Sequence, residues 1–240
     1  IFSDFHVLFQ LFKVIKKNKY SISLTFMPKA GLLGEIILFF KKVPIRIHYF
    51  MGQLWENEKN FLKKYLLLYL DILIYKLSTN PLDVSKTHKN LLVKNKIGLD
   101  KNIRVIGNGS VSGINEKYFF LNENKLKSNE INKLKILFIG RLNEDKGLID
   151  IFNIAENLIL KKTKFTFDIV GPDEDNIVEY FDKNHKNLKP YFNFYGFQND
   201  VTEFYKKNNL FLFPSYRESF GQVVAEAAAS GIPIISYNIT

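Results

Sequence analysis

Cysteine is absent from the 240 residues, which excludes disulfide frameworks, thiolate metal sites and a cysteine nucleophile. That suits a reducing compartment, and a cytoplasmic location is expected. Uninterrupted apolar runs are also lacking. The longest apolar stretch, 61–77, is broken by Lys63, Lys64 and Asp71, short of the roughly 18 consecutive apolar residues of a spanning helix. No transmembrane segment is expected. Histidine is scarce, at four residues, and no cluster of histidine and carboxylates stands at metal-ligand spacing, so no metal is expected. The chain opens on Ile1 rather than methionine, and its start is expected upstream.

What is present is an ordinary globular composition, 46% hydrophobic, long enough for one large domain or two small ones. The net charge of +10 is unevenly spread. Residues 1–128 carry 21 Lys and Arg against 9 Asp and Glu, a balance of +12, whereas 129–240 carry 13 against 15, a balance of −2. A basic front half points to an anionic partner, whether nucleic acid, a membrane surface or a phosphorylated substrate, or else to a solvated lysine surface with no partner at all.

From Leu134 onward, short apolar runs (LKILFIG, FTFDIVG, FNFYGF, LFLFP, PIISY) alternate with helical patterns near 147–161, 174–185, 200–207 and 221–230. Strands that alternate with helices predict an α/β fold with a parallel sheet covered on both faces. The front half repeats this grammar: helices at 6–18, 31–41, 57–77 and 84–95, and strands YSISLTF, IRIHYF and IRVIG. The polar stretch 121–133, without hydrophobic period, reads as a linker between domains at 1–120 and 134–240. The first domain opens in a helix and the second stops after a strand, so both are expected to be incomplete.

The chemistry concentrates in ESFGQVVAE, residues 218–226. Glu218 lies on the loop leaving a strand, Ser219, Phe220 and Gly221 form a turn that opens a helix, and Glu226 sits two turns inside it. The helix start, with its unsatisfied N–H groups and dipole, suits a diphosphate, and a glycine permits close approach. The two carboxylates can accept from sugar and ribose hydroxyls. Two glutamates at this spacing also describe a plain surface helix; the LFLFPS strand before them and the small-residue AAASGIP run after them favour the site.

The segment PSYRESFGQVVAEAAASGIPII resembles the carboxyl-terminal motif of family 4 retaining glycosyltransferases, which have the GT-B fold of two Rossmann-like domains facing a cleft. FIGRLNEDKGL at 138–148 resembles the same family's first strand and loop of the donor domain. The resemblance implies that Arg141 and Lys146 grip the donor diphosphate and assist its departure, with Glu218 orienting the sugar. It further implies that Gly140, Gly171, Ser219, Phe220 and Gly221 line the donor, that Glu226 holds the ribose, and that Phe197 and Gln198 meet the base, although Phe197 also fits a core aromatic. The sequence DED at 173–175 resembles an Asp-x-Asp metal motif but follows Gly171-Pro172 at a helix start, where the dipole favours acids. GT-B enzymes do not usually need a divalent metal, and the nucleotide-sugar is a substrate, so no cofactor is expected.

In the front half, TFMPKAGLLG, PIRIHYFMGQLWENEKN and VIGNGSVSGINEKYF resemble the branch of this family that builds polysaccharides and glycans on polyprenyl-diphosphate carriers. With the back-half motifs they cover nearly the whole chain. The resemblance implies a UDP-sugar donor, a polyprenyl-diphosphate-linked acceptor, and residence at the cytoplasmic face of a membrane. Acceptor-side candidates are His48, near a strand end, and Lys29, which with Gly31 and Gly34 either holds a phosphate or belongs to a plain helix with small packing residues. Family members carry a histidine just before the glycine after this strand; here Met51 precedes Gly52. The helix after Asn57 reads either as buried or, with Lys59, Lys63, Lys64 and the IILFFKK run, as a surface resting on anionic lipid. Other readings are a sugar-nucleotide 2-epimerase of the same fold, for which acid/base residues are sparse, a basic nucleic-acid binder, for which no recognition motif is present, and an inactive remnant. No nucleic-acid partner is expected.

Overall fold

A computed structural model describes residues 2–56, 58–99, 102–115, 117–119 and 132–239, with side chains from His6 onward. The chain divides into two compact units, the first running to Val111 and the second spanning Ser112–Ile239. Both are α/β. The expected linker at 121–133 lies, except for Asn132 and Lys133, outside the described residues. Residues just ahead of it already belong to the second unit: the Phe119 ring stands edge-on to Tyr205, with centroids 5.7 Å apart, and Gln222 Nε2 donates to the Gly113 carbonyl at 2.7 Å.

The first unit is a four-stranded parallel sheet in the order β1-β2-β3-β4. Its strands are β1 (Ile22–Phe26), β2 (Ile45–Phe50), β3 (Asn80–Asp83) and β4 (Arg104–Val105), and its helices α1 (Phe2–Lys17), α2 (Pro28–Phe40), α3 (Phe61–Leu77) and α4 (Lys86–Lys94). The starts of α2, α3 and α4 each have a local cause. Pro28 opens α2, where its missing N–H costs nothing. Asn60 caps α3 by accepting from Lys63 N at 3.0 Å, which moves the helix start past the expected 57, and Ser85 caps α4 by accepting from His88 N at 3.0 Å.

Strand β3 was not expected. Asn, Pro and Asp are poor strand formers, and four residues show no period, yet the segment pairs with both β2 and β4. The pairing with β2 is extended just beyond both ends of the segment, where Thr79 N donates to Arg46 O at 2.8 Å and Val84 N to Phe50 O at 3.3 Å. The burial of Leu82 and Val84 drives what local propensity opposes.

The second unit is a five-stranded parallel sheet, order β7-β6-β5-β8-β9, built from β5 (Leu134–Ile139), β6 (Phe165–Val170), β7 (Phe192–Phe194), β8 (Leu210–Phe213) and β9 (Ile234–Ser236). Helices α5 (Leu148–Leu160), α6 (Ile177–Asn184), α7 (Thr202–Lys207) and α8 (Gln222–Ala229) connect them. Phe138, Phe167, Phe211 and Phe213 sit in one buried aromatic core. The chain winds from β5 outward to β7, then returns to the other side of β5 for β8. The strand order reverses between β5 and β8, and open α/β sheets bind ligands at the carboxyl ends of strands at such a switch point. Among the described residues no helix is long and apolar enough to cross a membrane.

Candidate active site

Two glycines let the loops at this switch point close on one another. Gly171, with φ +146, follows β6, and a Cβ on it would lie 1.8 Å from the Gly140 carbonyl oxygen that follows β5. Gly147, with φ +68, ends a short 3-10 turn at Glu144–Lys146, and its Cβ would lie 2.0 Å from the Pro214 carbonyl oxygen after β8. Only glycine tolerates both the left-handed conformation and that approach. The turn is therefore pressed against the β8 exit, where Tyr216 N donates to the Asp145 carbonyl at 2.8 Å and Arg217 Nη2 lies 3.3 Å from Asp145 Oδ2.

This packing places Lys146, which is 8% exposed. Its Nζ forms an ion pair with Glu218 Oε1, stands 3.4 Å from Ser215 Oγ, and lies 5.5 Å from the centre of the Phe213 ring, a cation–π arrangement. Lys146 and Glu218, both expected at the site, are thus brought together. Past Ser219 and Phe220, which are partly buried, Gly221 enters α8 in the left-handed conformation at φ 77, ψ 56, and no side chain caps that start among the described residues.

The two glutamates part company. Glu226 is held by other partners than Lys146: its Oε2 lies 3.1 Å from the hydroxyl of buried Tyr205, and its Oε1 accepts from Gln222 Nε2 at 3.4 Å. Burial holds its pKa above the usual carboxylate range against those two hydrogen bonds. Arg141 is exposed, and its Nη1 lies 3.2 Å from Glu174 Oε2, which Asn143 also reaches at 3.0 Å. The neighbouring acids have structural partners. Asp173 caps α6 through the N–H groups of Ile177 and Val178 at 2.8 and 3.1 Å, and Asp175 accepts from Glu144 N at 3.0 Å. Phe197 is 68% exposed, which resolves its ambiguity against a core role, and adjacent Gln198 donates to Tyr195 O at 2.9 Å.

In the first unit, His48 departs from expectation and is corrected to a core residue. It is 1% exposed, its ring edge-on to Phe50 at 4.6 Å and so close to α2 that a Cβ on Gly31 would lie 2.3 Å from His48 Cε1. A Cβ on Gly34 would likewise lie 2.9 Å from Thr25 Cγ2. Both glycines are packing residues. The Thr25 hydroxyl donates to buried Glu35 at 2.9 Å, so His48 Nδ1, 2.9 Å from that oxygen, must be the donor in their contact. Burial lowers the histidine pKa to about 4, leaving the ring neutral. Lys29 is exposed near the start of α2.

The sequence reading missed a buried network in this unit. His88 Nδ1 lies 2.9 and 2.8 Å from the two Asp83 oxygens and its Nε2 lies 3.3 Å from Glu56, while Asp71 Oδ2 accepts from Gln53 Nε2 and Trp55 Nε1, each at 2.7 Å. Burial alone would depress His88, but Asp83 and then Glu56 outweigh it and push the pKa up to about 9. Burial raises Asp71 to about 6 against its hydrogen bonds. The local hint was Ser85 three residues before His88, a capping pair; partners up to 32 residues away have no local trace.

The family model described as glycosyl transferases, group 1, matches residues 122–240. The chain is 30% identical over 246 aligned positions to the capsular polysaccharide biosynthesis glycosyltransferase CapM of Staphylococcus aureus, covering 100% of this chain and 64% of that protein. It is 28% identical to the Escherichia coli UDP-Gal:alpha-D-GlcNAc-diphosphoundecaprenol alpha-1,3-galactosyltransferase, covering 100% of this chain and 63% of that protein. The chain therefore spans less than two thirds of the length of these relatives. Among solved structures, the Anabaena protein HepE in complex with UDP and glucose superposes with a TM-score of 0.74 at 16% identity, over 95% of this chain and 62% of that one. The two parallel-sheet α/β units of this chain have the GT-B fold, and its residues 122–240 are a group 1 glycosyl transferase domain.

Proposed function

We propose that the protein transfers a sugar from a UDP-sugar to a saccharide carried on polyprenyl diphosphate, with retention at the anomeric carbon, in the assembly of a capsule, lipopolysaccharide or related glycan. The observation that carries this is the Lys146 ammonium, held between Ser215 and Glu218 beside the start of α8 at the switch point of the second unit. A buried cation next to a helix amino end suits a diphosphate. The relatives agree in chemistry: the E. coli protein is named for a UDP-galactose donor and a diphosphoundecaprenol acceptor, and the Anabaena structure holds UDP and glucose.

In this reading the bond from the anomeric carbon to the diphosphate oxygen breaks while the acceptor hydroxyl oxygen bonds on the same face. Its proton passes to the departing phosphate, so no separate base is required. Lys146, Arg141 and the turn Ser219–Gly221 take up the developing charge. Phosphate competes with Glu218 for Lys146, and the freed carboxylate turns to the sugar hydroxyls. Gly140 and Gly171 line the donor with backbone alone, Phe197 and Gln198 meet the base, and Glu226, oriented by Tyr205, accepts from the ribose. No metal is assigned a part, and no nucleic-acid partner. The exposed face of α3, with Phe61, Leu62, Tyr65 and Tyr69 beside Lys63 and Lys64, rests on an anionic cytoplasmic membrane surface.

The test supplies full-length protein with a panel of UDP-sugars and a membrane lipid extract and identifies the product by mass. A glycolipid heavier by one sugar, with the new linkage in the donor's anomeric configuration, is expected. Nucleotide release with no sugar on any lipid overturns the assignment.

A further inference from the structure

An apolar groove of about 160 Å³ runs between α2 and α3 in the first unit. Pro28 and Leu32 form one wall, Leu67 and Leu70 the other, and Leu54 lies along it from the loop after β2. Lys29 is the one cation among its lining residues. The lining acid, Asp71, has its Oδ2 committed to Gln53 and Trp55. Leu54 is 57% exposed, as if awaiting cover.

The groove does not end at its lip. Leu66, 58% exposed, stands one helical turn before Leu70 and therefore beside it, and it continues the apolar lining onto the exposed face of α3 near Lys63 and Lys64. A ligand fitting this surface is slender and apolar and carries its negative charge directly at the end of the chain, because the lining around Lys29 is leucine, isoleucine and proline, and its one other polar residue, buried Asp71, has Oδ2 engaged by Gln53 and Trp55 rather than offered to a glycerol or amide spacer. A diacyl lipid headgroup lacks that arrangement. A diphosphate esterified directly to an isoprenoid has it.

We propose that this groove takes the first isoprene units of the polyprenyl chain and that Lys29 pairs with the diphosphate attached to them. The inference rests on the lipid-linked acceptor proposed above. It divides the acceptor's recognition within this unit: leucines read the lipid, one lysine reads the diphosphate, and the saccharide is left to other residues.

The experiment uses the full-length protein and a photoreactive analogue of farnesyl diphosphate, with cross-linked peptides mapped by mass. Labelling is expected within 28–32, at 54 and within 66–70, and farnesyl diphosphate should protect about tenfold better than farnesol or inorganic diphosphate alone, each of which lacks one half of the recognition. Lys29→Gln and Leu54→Asp, both at exposed positions, should each weaken labelling by about tenfold, the effect of one charge-assisted contact or one desolvated leucine, with unchanged thermal melting. Labelling elsewhere, equal protection by inorganic diphosphate or by vesicles of phosphatidylglycerol, or indifference to both variants overturns the groove assignment. Transfer to lipid-linked acceptor that persists alongside such a result condemns the groove and spares the transferase reading; specific labelling here without any transfer does the reverse.

Discussion

Gly147 and Pro214, 67 positions apart in the chain, touch so closely that no side chain fits between them: a Cβ at 147 would sit 2.0 Å from the Pro214 carbonyl oxygen. The contact sets the 3-10 turn against the β8 exit and so delivers Lys146 to Glu218.

Gly147→Ala should therefore cost about 3 kcal/mol of stability, combining a left-handed φ with a backbone collision. Transfer should fall with it, through a raised KM for the donor as Lys146 is displaced. Urea unfolding and donor-dependent kinetics check both, and a variant as stable as the parent would show that the turn can relax.

Lys146→Gln should lower kcat by about a hundredfold, the typical loss of one charge-stabilising group, and reduce stability by about 2 kcal/mol by stranding a largely buried glutamate. Adding Glu218→Gln should restore much of the stability and none of the turnover. A double-mutant cycle on melting, beside single-turnover rates, separates the two effects.

The first unit should lose stability in alkali. His88 is held above its unfolded pKa, at about 9, so its contribution is complete below pH 6.5 and disappears as the pH rises through 9. The loss amounts to roughly 3 kcal/mol. On the acid side, His48, depressed to about 4, loses stability as pH falls below 6.5. Asp71, raised to about 6, gains stability as pH falls below that value. These two largely offset between pH 4 and 6. Hydrogen exchange of β2 amides across pH 6–9.5 should show the alkaline loss in the parent and a flat profile in His88→Gln.

Met27 enters α2 at φ 64, ψ 149, a conformation that costs a side-chain-bearing residue of order 1–3 kcal/mol. Its side chain is 57% exposed, so little burial is lost on truncation. Met27→Gly should raise stability by about 1 kcal/mol; calorimetry of the full-length protein decides, and a lowered melting temperature would mean that the thioether packs better than its exposure suggests.

Local sequence was enough for the elements whose burial repeats along the chain. β2 and β5 to β9 fall where apolar runs predicted them; the central strands β5, β6 and β8 are buried along most of their length, and strands buried on both faces write their environment into consecutive residues. The turn opening α8 was equally readable, since the conformation of Gly221 is a property of its own backbone. Lys146 and Glu218 were legible as candidates, each from its own segment.

Local sequence determined which residue types stand at strand ends, turns and helix starts; tertiary structure alone decided which of them meet. β3 forms against its own propensities because sheet neighbours on both sides satisfy it. His48 looked like a ligand contact and is sealed beneath Gly31; Phe197 looked equally like core and is exposed. Glu226 is answered by Tyr205 on another helix, and PSYRESFGQVVAEAAASGIP gained a partner for the proposed site only when Gly147 closed on Pro214 and set a lysine against the first of its glutamates. Hydrophobic period and turn chemistry act over a few residues, whereas burial and ion pairing depend on which distant segments pack together, and that is settled only by the closed fold.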